Sequence, residues 1–189
     1  MTKAKKIFKD VLWDNKVLKI FSGSQLSIPE VLKSNPMFED FSKGEIKLIS
    51  KIAYERNYNQ DEYVFSMGQP GAAMFIILVG EVQIIRHTDD GTEVELARLR
   101  DGETFGELAL LDDSPRSATA RVIKPTKVLA LFREDLVNFL SIKPELGGKI
   151  VKKLAVITGY RLRMTNDLLL QKQTELEQCK RKLAEEKHD

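Results

Sequence analysis

Hydrophobic and polar positions change their rhythm twice along the chain. Through residue 52 the apolar residues fall at helical spacing. Ile7, Val11, Leu12, Leu18 and Phe21 are interleaved with lysines, which predicts one or two short amphipathic helices before a loop over 21–27, FSGSQLS. Ile28 to Ile52 predicts two further helical pieces separated at Asn35-Pro36, because the residue before a proline is driven out of the helical region. Ser42 followed by Glu45 has the capping-box spacing, in which each side chain satisfies the other residue's free N–H, and it marks the start of the second piece.

From Asp61 the rhythm shortens. Tyr63–Phe65, Met74–Val79, Val82–Arg86, Val94–Leu99, Ala118–Ile123 and Lys127–Phe132 are β-rich runs. They are divided by the turn formers Gly68-Gln69-Pro70-Gly71, Gly80, Asp90-Gly91, Asp101-Gly102 and Lys124-Pro125. Asp90-Gly91 predicts a tight type I′ hairpin, since glycine takes the positive φ that such a turn needs. Short strands at this spacing predict a β-sandwich or barrel of jelly-roll type (a double-stranded β-helix), and with the flanking helices an α+β fold.

After Phe132 helical spacing returns. Arg133–Ser141 predicts one helix, and Pro144 can occupy the first turn of the next. Gly147, Gly148 and Gly159 weaken the early part of that second helix and predict a bend. Leu162, Leu169, Leu176 and Leu183 then recur every seven residues among Glu, Lys, Arg and Gln, the pattern of a coiled-coil seam. A continuous helix from Glu145 to Glu186 would run about 60 Å. The companion column of the seam is polar in either phase: Asn166, Gln173 and Lys180, or Thr165, Lys172 and Cys179. The resulting plan is a helical extension or arm over 1–28, a β-roll domain over 29–141, and a long helix over 142–189 that pairs with a second copy.

Composition narrows the function classes. With 30 basic and 28 acidic residues the net charge is +2, too balanced to argue for nucleic-acid binding through overall charge. The longest apolar run, Ala72 to Val79, is far short of the ~20 residues of a membrane span. The opening segment MTKAKKIFKDVLW has no apolar stretch followed by a small-residue cleavage site, and Cys179 is the sole cysteine, so a cytoplasmic location is expected. His87 and His188 are the only histidines. No cluster has metal-ligand spacing, and no Gly-Lys-Ser/Thr phosphate loop or GxSxG elbow is present, so neither enzyme activity nor a cofactor is expected.

The segment FGELALLDDSPRSATA, residues 105–120, carries the chemistry. Gly106 can open a short helix whose free N–H groups face an anion. Arg116 is a planar cation suited to bidentate contact with a phosphate, although Asp112 and Asp113 nearby also allow a surface ion pair. Glu107 would repel phosphate, and a sugar hydroxyl is its natural partner. Together these groups describe a nucleotide site whose base is left to apolar walls.

This segment closely resembles the phosphate-binding cassette of cyclic nucleotide-binding domains, F-G-E-[LIM]-[AG]-L-[LI]-x(2-3)-x-P-R-x-A-[TS], and matches every defined position. The resemblance continues upstream through GQPGAAMFIILVGEVQIIR and covers about residues 29–166. It implies that Glu107 holds the ribose 2′-hydroxyl and Arg116 the cyclic phosphate, with backbone N–H groups of Gly106, Leu108, Ala109 and Ala118 sharing the phosphate. In the eukaryotic relatives threonine at position 117 accompanies cGMP and alanine cAMP; Ser117 resembles the bacterial activators. Val82, Leu96 and Leu99 are candidate base-pocket walls. R-L-R-M-T-N over 161–166 is similar to the dimer helix of the bacterial catabolite activators, which makes Thr165 and Asn166 candidate base contacts, with one extra helical turn between Pro144 and Thr165.

The expectation is a cyclic-nucleotide receptor, cAMP before cGMP, that dimerises through its C-terminal helix and signals to a further protein. The bacterial activators place a winged helix-turn-helix after the dimer helix; none follows here, so direct DNA binding is not expected. The rival expectations are a sensory fragment of a larger transcription regulator or signalling enzyme, and a coiled-coil scaffold with a non-binding roll. A kinase regulatory subunit fits less well, since the chain has one such domain and no Arg-Arg pair.

Overall fold

Two short helices lead into the sheet. The computed structural model describes residues 27–185, in which α1 spans Ile28–Ser34 and α2 spans Lys43–Ile49, with 3-10 turns at Pro36–Phe38 and Ser50–Ile52. The helices expected before residue 27 lie outside the described residues. The first break falls at Asn35, where the following proline demands it. The buried Asn35 amide bridges that break: Oδ1 accepts the Met37 N–H at 2.9 Å, and Nδ2 donates to the Gly102 carbonyl at 2.9 Å. Helix α2 begins with the expected capping box. Ser42 Oγ accepts the Glu45 N–H at 3.2 Å, and the Glu45 carboxylate accepts the Ser42 N–H at 2.6 Å.

Six strands follow: β1 Ala53–Tyr58, β2 Tyr63–Phe65, β3 Ala73–His87, β4 Glu93–Arg100, β5 Thr104–Phe105 and β6 Thr119–Phe132. They form an antiparallel sheet in the order β1-β6-β3-β4, with β2 also on β6 and β5 also on β3. This is the expected jelly roll, with corrections in its parts. Met74–Val79 and Val82–Arg86 are halves of one strand, as are Ala118–Ile123 and Lys127–Phe132. Gly80 and Lys124-Pro125 are irregularities within these strands, and the β3–β6 register shifts around Gly80. A bulge bends a strand without ending its ladder. Gly80 has φ +120°, and a side chain there would collide with Thr126.

The β3–β4 connection also differs from expectation. It runs over Thr88–Thr92, and Gly91 (φ +81°) is its one residue in the left-handed region. A type I′ turn needs positive φ at two successive residues. The loop closes instead through Thr88 N–H to Thr92 O at 3.0 Å and Gly91 N–H to Thr88 O at 2.9 Å. Strand β1 was not expected, because in AYERNY only Ala53 is fully buried and no alternation shows.

The roll closes over Phe75, Ile77, Val82, Phe105, Val122 and Val128. Phe75 and Phe105 stack with centroids 5.3 Å apart, and Phe65 lies 6.0 Å from Phe75. Helix α3 spans Arg133–Ile142 and α4 spans Pro144–Glu185. Helix α4 continues through Gly147, Gly148 and Gly159. Gly147 is there for packing, since a Cβ would sit 2.8 Å from Leu140 Cδ2.

The backbone divides into two compact units, the first ending at Ile150 and the second beginning at Val151. In the second unit Leu162, Leu169, Leu176 and Leu183 are 54–60% exposed. No described helix is long and apolar enough to cross a membrane.

Candidate functional site

The site is built where β5 runs out. Phe105 pairs with Phe75 of β3, and Gly106 then turns the chain at φ +71° to cap a 3-10 turn over Glu107–Leu110. Glycine is required there twice over. The dihedral is left-handed, and a Cβ would lie 2.8 Å from Arg116 Nη1 and 3.4 Å from the Ala73 carbonyl oxygen. Gly71 is pressed just as closely, with a Cβ placed 2.8 Å from that of Ala109.

Arg116 fills the space that Gly106 leaves. The residue is only 8% exposed. Its Nη2 donates to the Ala73 carbonyl at 2.8 Å and its Nη1 to the Gly106 carbonyl at 3.1 Å. The guanidinium lies 4.0 Å from the Phe65 ring centroid and 5.8 Å from that of Phe75. Nε is buried and makes no hydrogen bond. Burial pushes the Arg116 pKa down, and the charge of Glu107 opposes that shift. The guanidinium keeps its proton regardless. The backbone of Arg116 is clamped as well, its N–H donating to Gln69 O at 2.8 Å and its carbonyl accepting the Gly68 N–H at 2.9 Å.

Glu107 is 5% exposed and sits in the first turn after Gly106. One eleven-residue segment thus supplies a buried carboxylate within the 3-10 turn and a buried cation bonded to the carbonyl that caps it. The acids beside Arg116 in sequence are engaged elsewhere. The Asp112 carboxylate accepts Ser114 N–H at 3.1 Å and Ser114 Oγ–H at 2.9 Å, while Asp113 pairs with Arg133. The surface ion pair considered for Arg116 with these acids is therefore not what holds it.

The remaining candidates separate. Ser117 is exposed and Ala118 buried, both next to Arg116. Leu108 is 42% exposed, and the Ala109 N–H reaches the Gly106 carbonyl at 3.3 Å. Val82 is sealed in the core cluster, Leu99 packs against it, and Leu96 is 56% exposed. Thr165 and Asn166 lie exposed on α4 in the second unit, where Thr165 Oγ1 donates to the Arg161 carbonyl at 2.9 Å. Sequence reasoning missed Phe65, Phe75 and the Ala73 carbonyl. Their contact with Arg116 depends on the strand pairing, and the one hint was the small-residue run Gly71-Ala72-Ala73.

Such an arrangement is equipped to bind. A guanidinium with an unused N–H and a carboxylate in the adjoining turn can recognise a phosphate and a hydroxyl group. Among the described residues no group of three or more His, Cys, Asp or Glu is placed to hold a metal ion.

Comparison with known proteins agrees with this geometry. Residues 55–143 match the family model of the cyclic nucleotide-binding domain. The chain is 35% identical over 132 residues to the cyclic AMP receptor protein of Thermus thermophilus, covering 70% of this chain and 59% of that one. A cyclic nucleotide-binding domain from Methylobacillus flagellatus superposes with a TM-score of 0.69 at 28% identity, over 82% of this chain and 84% of that one. The N-terminal domain of a transcriptional regulator from Streptomyces coelicolor gives a TM-score of 0.62 at 32% identity, over 74% and 94%. The chain spans about three fifths of the length of the bacterial regulators it matches. On the match of its roll, its cassette and its overall topology, the chain belongs to the cyclic nucleotide-binding domain family.

Proposed function

We propose that this chain is a cyclic-nucleotide receptor module in which residues 106–118 bind the ligand, cAMP in preference to cGMP. The observation that carries this reading is Arg116, a buried cation with an unpartnered Nε, next to a turn that holds the buried carboxylate of Glu107. In this reading Arg116 receives the cyclic phosphate together with N–H groups of the turn, and Glu107 accepts the ribose 2′-hydroxyl. Ser117, exposed beside the arginine, is in this reading the residue that sets the preference for cAMP. The chain does no chemistry on the nucleotide; it signals through a second copy paired along Leu162, Leu169, Leu176 and Leu183 to a downstream protein. Calorimetric titration with cAMP and cGMP tests the ligand, with saturable binding tighter for cAMP expected. A ligand at one hundred times its Kd should also raise folding stability by about 2.7 kcal/mol. No heat and no thermal shift with either nucleotide overturns the reading. Sedimentation equilibrium tests the pairing, with a dimer expected that Leu169→Glu converts to monomer.

A second reading is favoured by coverage. Since the chain spans about three fifths of its bacterial relatives, it can be the sensory segment of a longer transcription regulator. A reading frame that continues past Asp189 into a helix-turn-helix decides for it.

A further inference from the structure

Arg133 is the first residue of α3, and it touches the cassette loop from outside the ligand motif. Its backbone N–H donates to the Ala72 carbonyl at 2.8 Å. The neighbouring carbonyl, that of Ala73, takes Nη2 of Arg116 at 2.8 Å. Two consecutive carbonyls at the start of β3 therefore hold the start of α3 and the cassette arginine. The Arg133 side chain adds a second link. Its Nη1 donates to the carbonyl of Asp112, and its Nη2 pairs with the carboxylate of Asp113. The same loop delivers Arg116, since Asp112 caps Ser114 and Pro115 bridges to Pro70.

Charge stabilisation alone does not account for this arrangement. The Asp113 side chain is 91% exposed, and an ion pair to such a group contributes little to stability. Geometry is the more specific feature. A planar fork spans one backbone acceptor and one side-chain acceptor on successive residues, with its donors fixed relative to one another. The fork thus gives the loop over 111–115 a direct mechanical link to the first turn of α3.

Resting on the nucleotide-binding reading above, we propose that Arg133 is the positioning residue that couples occupancy of the cassette to α3. Amide hydrogen exchange on the full chain, with saturating cAMP and then cGMP, reads both elements at once. In the unsubstituted protein, nucleotide is expected to slow exchange in the cassette, 106–118, and in α3, 133–142. In Arg133→Gln the cassette keeps its protection and α3 loses the ligand-dependent part. Arg133→Lys falls between the unsubstituted protein and the glutamine variant, because an ammonium can meet both acceptors but without the fixed planar geometry of the fork. Asp113→Asn, at an exposed position that leaves the fold intact, shows a partial loss and decides the matter if the arginine variants do not fold. Full ligand-dependent protection of α3 in Arg133→Gln, or in Asp113→Asn when it stands alone, overturns the coupling role. Absence of cassette protection by either nucleotide in the unsubstituted protein overturns the binding reading, and this inference with it.

Discussion

Glu81 and Arg116 are charged side chains buried in the same roll, and they are held in opposite ways. Glu81 is 5% exposed and meets cations: Lys124 at 2.7 Å, Arg98 at 3.5 Å and Arg100 at 3.8 Å. The Lys124 hydrogen bond, aided by the charges of Arg100 and Arg98, keeps its carboxyl below the ordinary glutamate range. Arg116 is 8% exposed, and its hydrogen bonds go to neutral carbonyls, its face to aromatic rings, and its Nε to no acceptor. Burial pushes its pKa in the unfavourable direction. Each charge lies beside a glycine that a side chain could not replace, Gly80 for Glu81 and Gly106 for Arg116. The difference separates a charge neutralised by opposite charges from one that keeps a buried N–H without an acceptor. A buried polar group without its full set of partners costs free energy, and a site can recover that cost on binding.

Four substitutions break or sharpen this contrast. The largest effect is expected for Arg116→Ala, which should weaken cyclic-nucleotide binding by about 2–5 kcal/mol in calorimetry while the ligand-free protein still melts cooperatively. A loss of folding with no measurable effect on affinity would make Arg116 the counterpart of Glu81 and erase the distinction. Gly106→Ala comes next. It forces a Cβ to φ +71° and against Arg116 Nη1, so affinity should fall on the order of ten- to a hundredfold even though both charged residues remain.

Glu81→Gln should reverse the pattern. Affinity stays level and stability falls by about 1–2 kcal/mol, a value reduced by the exposure of the surrounding cations. Its pH dependence has a definite sign. The folded carboxyl titrates below its unfolded value, so the unfolded chain binds more protons in acid. Wild-type stability from Glu81 is fully present above about pH 4.3 and is lost as pH falls through the lowered folded value. Thermal melts of Glu81→Gln against pH should lack that component. The smallest effect is expected for Ser117→Thr, which leaves total affinity intact and moves the cAMP-to-cGMP ratio toward cGMP by about 1 kcal/mol or less in competition titrations.

The cassette was legible because its chemistry is contiguous. Gly106, Glu107 and Arg116 fall within eleven residues, and their order alone places a turn, an acid and a cation together. The surroundings of Arg116 were hidden because Phe65, Phe75 and Ala73 arrive from other strands. Gly80 was read as a turn because glycine between two β-rich runs ends a strand more often than it bends one, yet here the ladder continues past it. Strand β1 left no pattern, since five of its six side chains are not fully buried. Asp113 pointed in sequence to Arg116 and in space to Arg133, twenty residues beyond it, because α3 begins against the cassette loop.

The order of strand pairing has a consequence for how the chain is made. Strands β1 and β2 find their partners in β6, Ala53 opposite Leu131 and Tyr63 opposite Arg121, and β3 lies on the same strand. At about 5–20 residues per second of synthesis, β1 leaves the ribosome several seconds before its partner exists. A nascent chain halted before β6 leaves β1, β2 and one edge of β3 unpaired, the kind of surface that templates aggregation. The last strand made is therefore the one that joins the others, and the interval before it appears is when their pairing edges are most open.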